Sequence, residues 1–196
     1  MLEKLQQFDV QAMILFNRKW ENSFFDALMP WLRESALWAP LYLYLIVWGL
    51  MNLGKKAAWW IAWAILTIAL SDQVSSSFIK NTVARLRPCR DPEVLPFITL
   101  RLQNCSGAFS FTSSHAANHF ALAMYVFTSL APVIGTKLTR WLFVWAAAIC
   151  YAQVYVGVHY PLDVVGGTIV GLLCGKLTAW LYLKKTKAFD YKRPTP

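Results

Sequence analysis

The chain has 196 residues, of which 57% are hydrophobic and 15% charged, with ten tryptophans and a formal net charge of +9. Soluble domains run at about 45–50% apolar and about 25% charged, so an ordinary soluble domain is excluded and a membrane protein follows. The positive charge does not point to nucleic acid, because so apolar a chain leaves no soluble basic face to bind it.

Residues 1–19 place Leu5, Phe8, Ala12, Leu15 and Phe16 at near-helical spacing with charges between them. That is the pattern of an amphipathic helix lying at the membrane interface. Glu3 and Asp9 interrupt any apolar core there, so no cleavable signal peptide is expected. A span beginning near Phe24 fails on Asp26, Pro30, Arg33 and Glu34. A membrane-crossing helix needs about 20 mostly apolar residues, since lipid cannot satisfy a free backbone N–H or C=O. Five stretches qualify: 37–53, 57–79, 116–134, 141–158 and 164–183. The expected fold is therefore all-α, a polytopic membrane helical bundle of about five transmembrane helices plus the N-terminal interfacial helix. Residues 1–34 form the interfacial segment, 35–183 the transmembrane domain and 184–196 a basic cytoplasmic tail.

Lys55 and Lys56, then Lys137 and Arg140, then Lys184, Lys185, Lys187, Lys192 and Arg193 all fall on one side of these spans. By the positive-inside bias that side is the cytoplasm. Lys80, Arg87, Arg90 and Arg101 stand on the other side, against the bias, which suggests a function that needs cations there. Cys150 and Cys174 read as small apolar residues within spans. Cys89 and Cys105 bracket the long outer loop and are expected to form a disulfide in an oxidising compartment.

Three short stretches at that outer face carry chemistry. In the first, Arg87 offers a planar fork and Lys80 a point charge for phosphate oxygens, and Pro88 is expected to end the helix after Arg87. In the second, Thr112-Ser113-Ser114-His115 opens a helix, where free N–H groups and the dipole favour an anion. Thr112 or Ser113 is equally an ordinary N-cap. His119 lies one turn beyond His115, either as a supporting partner or as a polar residue in a helix interface. In the third, His159 and Asp163 are four apart; a carboxylate on one ring N–H fixes the tautomer that leaves the other nitrogen nucleophilic.

Lys80, Arg87 and Pro88, then Ser113 and His115, then His159 and Asp163 resemble, in order and spacing, the three motifs of the type 2 phosphatidic acid phosphatase superfamily. Those motifs are K-x6-R-P, P-S-G-H and S-R-x5-H-x3-D. Thr112 and Ser114 stand in place of Pro and Gly, and Ala152 and Gln153 in place of Ser and Arg. The resemblance implies a lipid phosphate phosphatase with His159 as nucleophile forming a phosphohistidine, Asp163 orienting it, and His115 as acid and base. Lys80, Arg87, Ser113, Ser114 and Gln153 would bind the phosphoryl oxygens. No metal or other cofactor is implied. Arg85, Arg90 and Arg101 are candidates to replace the charge missing at Gln153. The substrate would be a membrane lipid phosphate or pyrophosphate, in the inner membrane of a bacterium, with the site facing the periplasm or exterior. Alternatives are a lipid phosphotransferase and, given Gln153, a catalytically silent lipid-phosphate binder.

Overall fold

The apolar runs fold as helices in a computed structural model that describes residues 2–105 and 107–186. The helices are α1 (Leu2–Ile14), α2 (Ser23–Leu32), α3 (Ala39–Leu53), α4 (Ala57–Asp72), the single turn α5 (Lys80–Val83), α6 (Ser114–Ile134), α7 (Thr136–Tyr155) and α8 (Pro161–Thr186). Wider π-type turns extend α1 over Leu15–Lys19 and join α4 to α5 over Gln73–Ile79. Among the described residues there is no strand, only the isolated bridge between Leu86 and Phe109. The tail beyond Thr186, with Lys187, Lys192 and Arg193, lies outside the described residues.

Among the described residues, three segments are long and apolar enough to cross a membrane: Ser35–Val83, Ser114–Ile134 and Pro161–Thr186. The first contains two of the expected spans. Gly54, at φ +55, turns the chain, and α4 packs back on α3, where a Cβ at Gly49 would stand 3.4 Å from the Trp60 ring. The α7 helix is not among the three and carries Lys137 and Arg140 in its first turns.

The bundle closes on α6 and α8. Gly167, Gly171 and Gly175 form a stripe on α8, and a Cβ at each would collide with the carbonyl oxygens of Ser113, Ala117 and Ala121 on the facing side of α6. Small residues at four-residue spacing allow helix backbones to approach where lipid supplies no hydrophobic drive. The approach registers the two helix starts: Ser113 N–H donates to the carbonyl of Asp163 at 3.0 Å. Several polar tips inside the bundle are paired, which apolar surroundings favour. Trp60 Nε1 donates to Ser129 Oγ at 2.9 Å, Tyr125 O–H to the Trp60 carbonyl at 2.8 Å, and Thr67 Oγ1 to Thr178 Oγ1 at 2.7 Å.

The N-terminal helices cap one end of this bundle. On α1 and its extension the buried positions are Asp9, Met13 and Asn17, spaced four apart, while Leu5 and Phe8 point away from the protein. The inward face is thus partly polar: Asp9 and Asn17 meet backbone groups, while Met13 packs with Val94, Ile98, Val154 and Tyr160. Asp9 Oδ1 accepts from Leu162 N–H at 2.9 Å. Asn17 Nδ2 donates to the carbonyls of Tyr155 at 2.6 Å and Thr99 at 2.9 Å.

The α2 helix, capped by Asn22 on Phe25 N–H at 2.9 Å, is tied to the end of α7. Tyr155 O–H donates to Asp26 Oδ1 at 2.8 Å, and Phe25 meets the rings of Tyr151 and Tyr155 edge-on.

Candidate active site

The stretch after α5 departs from expectation. The helix ends at Val83, with Ala84 in the left-handed region at φ 50, and not after Arg87. Residues 85–87 run extended against 108–110: Arg87 N–H donates to Ala108 O at 3.2 Å and Ser110 N–H to Arg85 O at 2.7 Å. These loop bonds take the place of helical ones, so Pro88 opens a short 3-10 turn and terminates nothing. Cys89 and Cys105 are joined, with Cα atoms 6.0 Å apart, which ties the two halves of the loop beside Arg87.

Arg87 and His159 face each other. Arg87 Nη1 lies 3.4 Å from His159 Nε2 and 3.4 Å from the Val158 carbonyl. An arginine N–H can only donate, so this contact calls for a lone pair on Nε2 and puts the imidazole proton on Nδ1. Nδ1 stands 3.5 Å from Asp163 Oδ2, long for a hydrogen bond, and has no other partner. Asp163 is held from two further sides: Oδ2 accepts from Tyr160 N–H at 2.8 Å and Oδ1 from Arg85 at 2.9 Å. Burial pushes the His159 imidazole down to about 4; Asp163 opposes that shift, and Arg87 and Lys80 add to it. The ring is therefore neutral at physiological pH.

Ser113 is the N-cap of α6, its Oγ accepting from Ala116 N–H at 3.4 Å. Ser114 Oγ sits 3.1 Å from Lys80 Nζ and 2.7 Å from Ser76 Oγ, so the residue at the family's glycine position holds the ammonium. Asp72 anchors this group, accepting from Ser76 at 3.0 Å and Asn118 at 3.1 Å. His115 and Ser114 line a cavity of about 320 Å³ with Tyr42, Asp72, Asn118 and His119. His119 stacks on His115 with ring centroids 6.1 Å apart; its Nδ1 meets the His115 carbonyl at 2.7 Å and its Nε2 the Tyr42 hydroxyl at 3.2 Å.

Gln153 is fully buried, and neither Arg85, Arg90 nor Arg101 reaches it. Arg85 is taken by Asp9 at 2.7 Å and Asp163 at 2.9 Å. Arg90 donates to the Cys105 carbonyl at 3.0 Å. Arg101 pairs with Asp26 and with Glu21 at 2.9 Å, over the Tyr155 ring. The residue on Gln153 is Arg33, at the end of α2, whose Nε meets Gln153 Oε1 at 3.4 Å. In sequence Arg33 reads only as a charge that forbids a span; Asp9 reads only as an acidic residue in an amphipathic helix. The empty charge at position 153 was the one signal that a cation had to come from elsewhere.

Two cations and a serine-capped helix start around a neutral, carboxylate-backed imidazole, on a helical membrane bundle, define an integral-membrane lipid phosphatase. Residues 57–187 match the PAP2 superfamily, and the chain belongs to that family, the type 2 phosphatidic acid phosphatases. It is 33% identical to a lipid A 4'-phosphatase of Bacteroides thetaiotaomicron over 100% of this chain and 86% of that protein. The crystal structure of Aquifex aeolicus LpxE superposes with a TM-score of 0.64 at 24% identity, covering 86% of this chain and 92% of that one. A PAP2-type phosphatidylglycerolphosphate phosphatase from Bacillus subtilis superposes with a TM-score of 0.69 at 19% identity, covering 95% and 89%.

Proposed function

We propose that this lipid phosphatase works through a phosphohistidine on His159, without a metal. The observation that carries the reading is the His159 ring itself, with Nε2 facing Arg87 at 3.4 Å and Nδ1 facing Asp163 at 3.5 Å. Nε2 attacks phosphorus as the bond to the lipid oxygen breaks, and His115 gives a proton to that oxygen. Water then attacks the phosphohistidine, His115 takes its proton, and the N–P bond breaks. Lys80 and Arg87 stabilise the charge spread over the equatorial oxygens, with Ser113 and Ser114 holding the helix start and the Lys80 ammonium. The cavity beside His115 gives the leaving alcohol a place to stand.

A lipid A phosphate is the first substrate to test, on the likeness to the Bacteroides thetaiotaomicron enzyme. We place the site on the periplasmic or exterior face of a bacterial inner membrane and the C-terminus in the cytoplasm. Lys56 and Lys185 line one cavity, which supports a common basic end opposite the site. The substitution of Gln153 favours a second reading, a silent lipid-phosphate binder.

Protein purified in detergent, given lipid A, phosphatidic acid, phosphatidylglycerophosphate and undecaprenyl pyrophosphate, decides between them. We expect phosphate release in the presence of EDTA, an acid-labile phosphoprotein after a denaturing quench, and neither in His159→Ala. Release by His159→Ala near the wild-type rate would end the phosphohistidine reading, and loss of release to EDTA with recovery in magnesium would end the metal-free one. Binding without release of any of the four would favour the silent binder.

A further inference from the structure

We propose that Arg33, which lies outside the family-matched segment 57–187, is the third phosphate-facing cation of this site, and that Gln153 is the bracket that holds it there. The inference rests on the reading of the site as a phosphate site. The family pattern puts an arginine at position 153, at the end of α7. Here that position carries an uncharged carboxamide, fully buried, whose Oε1 accepts from Arg33 Nε and whose Nε2 has no protein partner.

The geometry favours a deliberate substitution of one cation by another. Arg33 follows α2 directly, and its backbone N–H still bonds to Met29 O at 3.3 Å, so its stem starts from a fixed point. That helix is locked to α7 by Asn22, Phe25 and Asp26 around Tyr155. Only 13% of the Arg33 side chain is exposed, and its one carboxylate, Glu34 at 3.2 Å through Nη1, is itself largely in solvent. A bond through Nε, with one Nη1 N–H on Glu34, leaves Nη2 and the second Nη1 N–H for oxygens beyond it. Burial and then Arg33 hold the Arg87 guanidinium below its usual range, with Asp163 opposing them, as expected when a second cation stands near it. Like charges buried together are unfavourable unless a dianion joins them. An arginine at 153 in the presence of Arg33 would add a further guanidinium to the same space, which accounts for glutamine there.

The test is binding of inorganic phosphate, by titration calorimetry on the full chain in detergent, which needs no turnover. Arg33→Gln should weaken phosphate binding by roughly 10-fold or more, as loss of a charge-assisted contact does. Gln153→Arg alone should bring no gain. The double variant R33Q/Q153R, with the cation returned to α7, should recover to within about threefold of wild type. Should Arg33→Gln fail to fold, Arg33→Lys carries the test: it keeps the charge and loses the fork, and should bind several-fold more weakly.

Phosphate binding unchanged in a folded Arg33 variant would overturn the proposal. So would a double variant no better than Arg33→Gln with both folded. A wild type that binds no phosphate would overturn this inference and the phosphatase reading together. A wild type that binds phosphate, loses it on Arg33→Gln and hydrolyses no lipid phosphate would leave the inference standing and remove only the catalytic reading.

Discussion

Arg85 Nη1 lies 2.9 Å from Asp163 Oδ1, so the carboxylate behind His159 is braced by a cation from the loop after α5. The same Nη1 lies 2.7 Å from Asp9 Oδ2 of α1, and the guanidinium rests on the Tyr160 ring at 3.7 Å. Both carboxylates are fully buried. Burial holds the Asp9 carboxyl above its usual range, while the Leu162 N–H and Arg85 pull it back down.

Removing the shared cation therefore strands two acids where water cannot reach. Arg85→Met should destabilise the protein by roughly 3–5 kcal/mol, the usual effect of breaking a buried pair. Asp9→Asn should be milder, because Asp163 still neutralises Arg85. Adding Asp9→Asn to Arg85→Met should recover part of the loss, since one stranded acid is gone. Thermal unfolding in detergent of the two single variants and the double one measures this; strict additivity would mean that Asp9 and Arg85 do not communicate.

Much of the site was legible because it is built from short stretches. Lys80 with Arg87, Ser113 with His115, and His159 with Asp163 each sit within a few residues of one another, so spacing alone suggested shared surfaces. The cations and acids that come from the N-terminal helices were not legible. Arg33 meets Gln153 across 120 residues, and Asp9 meets Leu162 across 153, with no local pattern to announce either contact. The inward turn of Asp9 and Asn17 to backbone groups, with Leu5 and Phe8 turned out, had no local pattern to announce it either. The helix end at Ala84 was equally hidden, because the pairing of residues 85–87 with 108–110 that replaces the helical bonds is non-local. Gly167, Gly171 and Gly175 showed their spacing openly, but the spacing acquires meaning only with Ala117 and Ala121 opposite.

That stripe makes a paired prediction. Gly171→Ala drives a methyl into the Ala117 carbonyl and should cost about 1–3 kcal/mol or more, because backbone cannot swing aside as a side chain can. It should also lower activity, since α6 and α8 must separate and the Ser113–Asp163 backbone bond goes with them. Gly49→Ala meets only the Trp60 ring at an ordinary 3.4 Å and should be neutral or slightly stabilising, as Ala is the better helix former. Unfolding midpoints and phosphate release for the two variants check this. Equal behaviour would mean that α6 and α8 are not in the close contact described.

His159 ties the site to the pH dependence of stability. Its pKa is about 4 in the folded chain against 6.5 ordinarily, with burial as the main cause. A lowered histidine pKa means the unfolded chain binds the proton and the folded chain refuses it between those values, so stability rises with pH across that window. The contribution is fully present above 6.5 and is lost as pH falls from 6.5 toward 4, by at most on the order of 3 kcal/mol. His159→Gln lacks this term, so wild type should lose unfolding midpoint relative to His159→Gln as the medium is taken from pH 7 to 4.5. The same lowering keeps Nε2 unprotonated at pH 5, where an ordinary histidine is mostly charged. The acid side of kcat/KM for the free enzyme should then show no loss assignable to His159 near 6.5. If the two unfolding midpoints instead keep a constant difference from pH 7 to 4.5, the histidine is not held neutral by burial, and Asp163 with its braced carboxylate sets the protonation state instead.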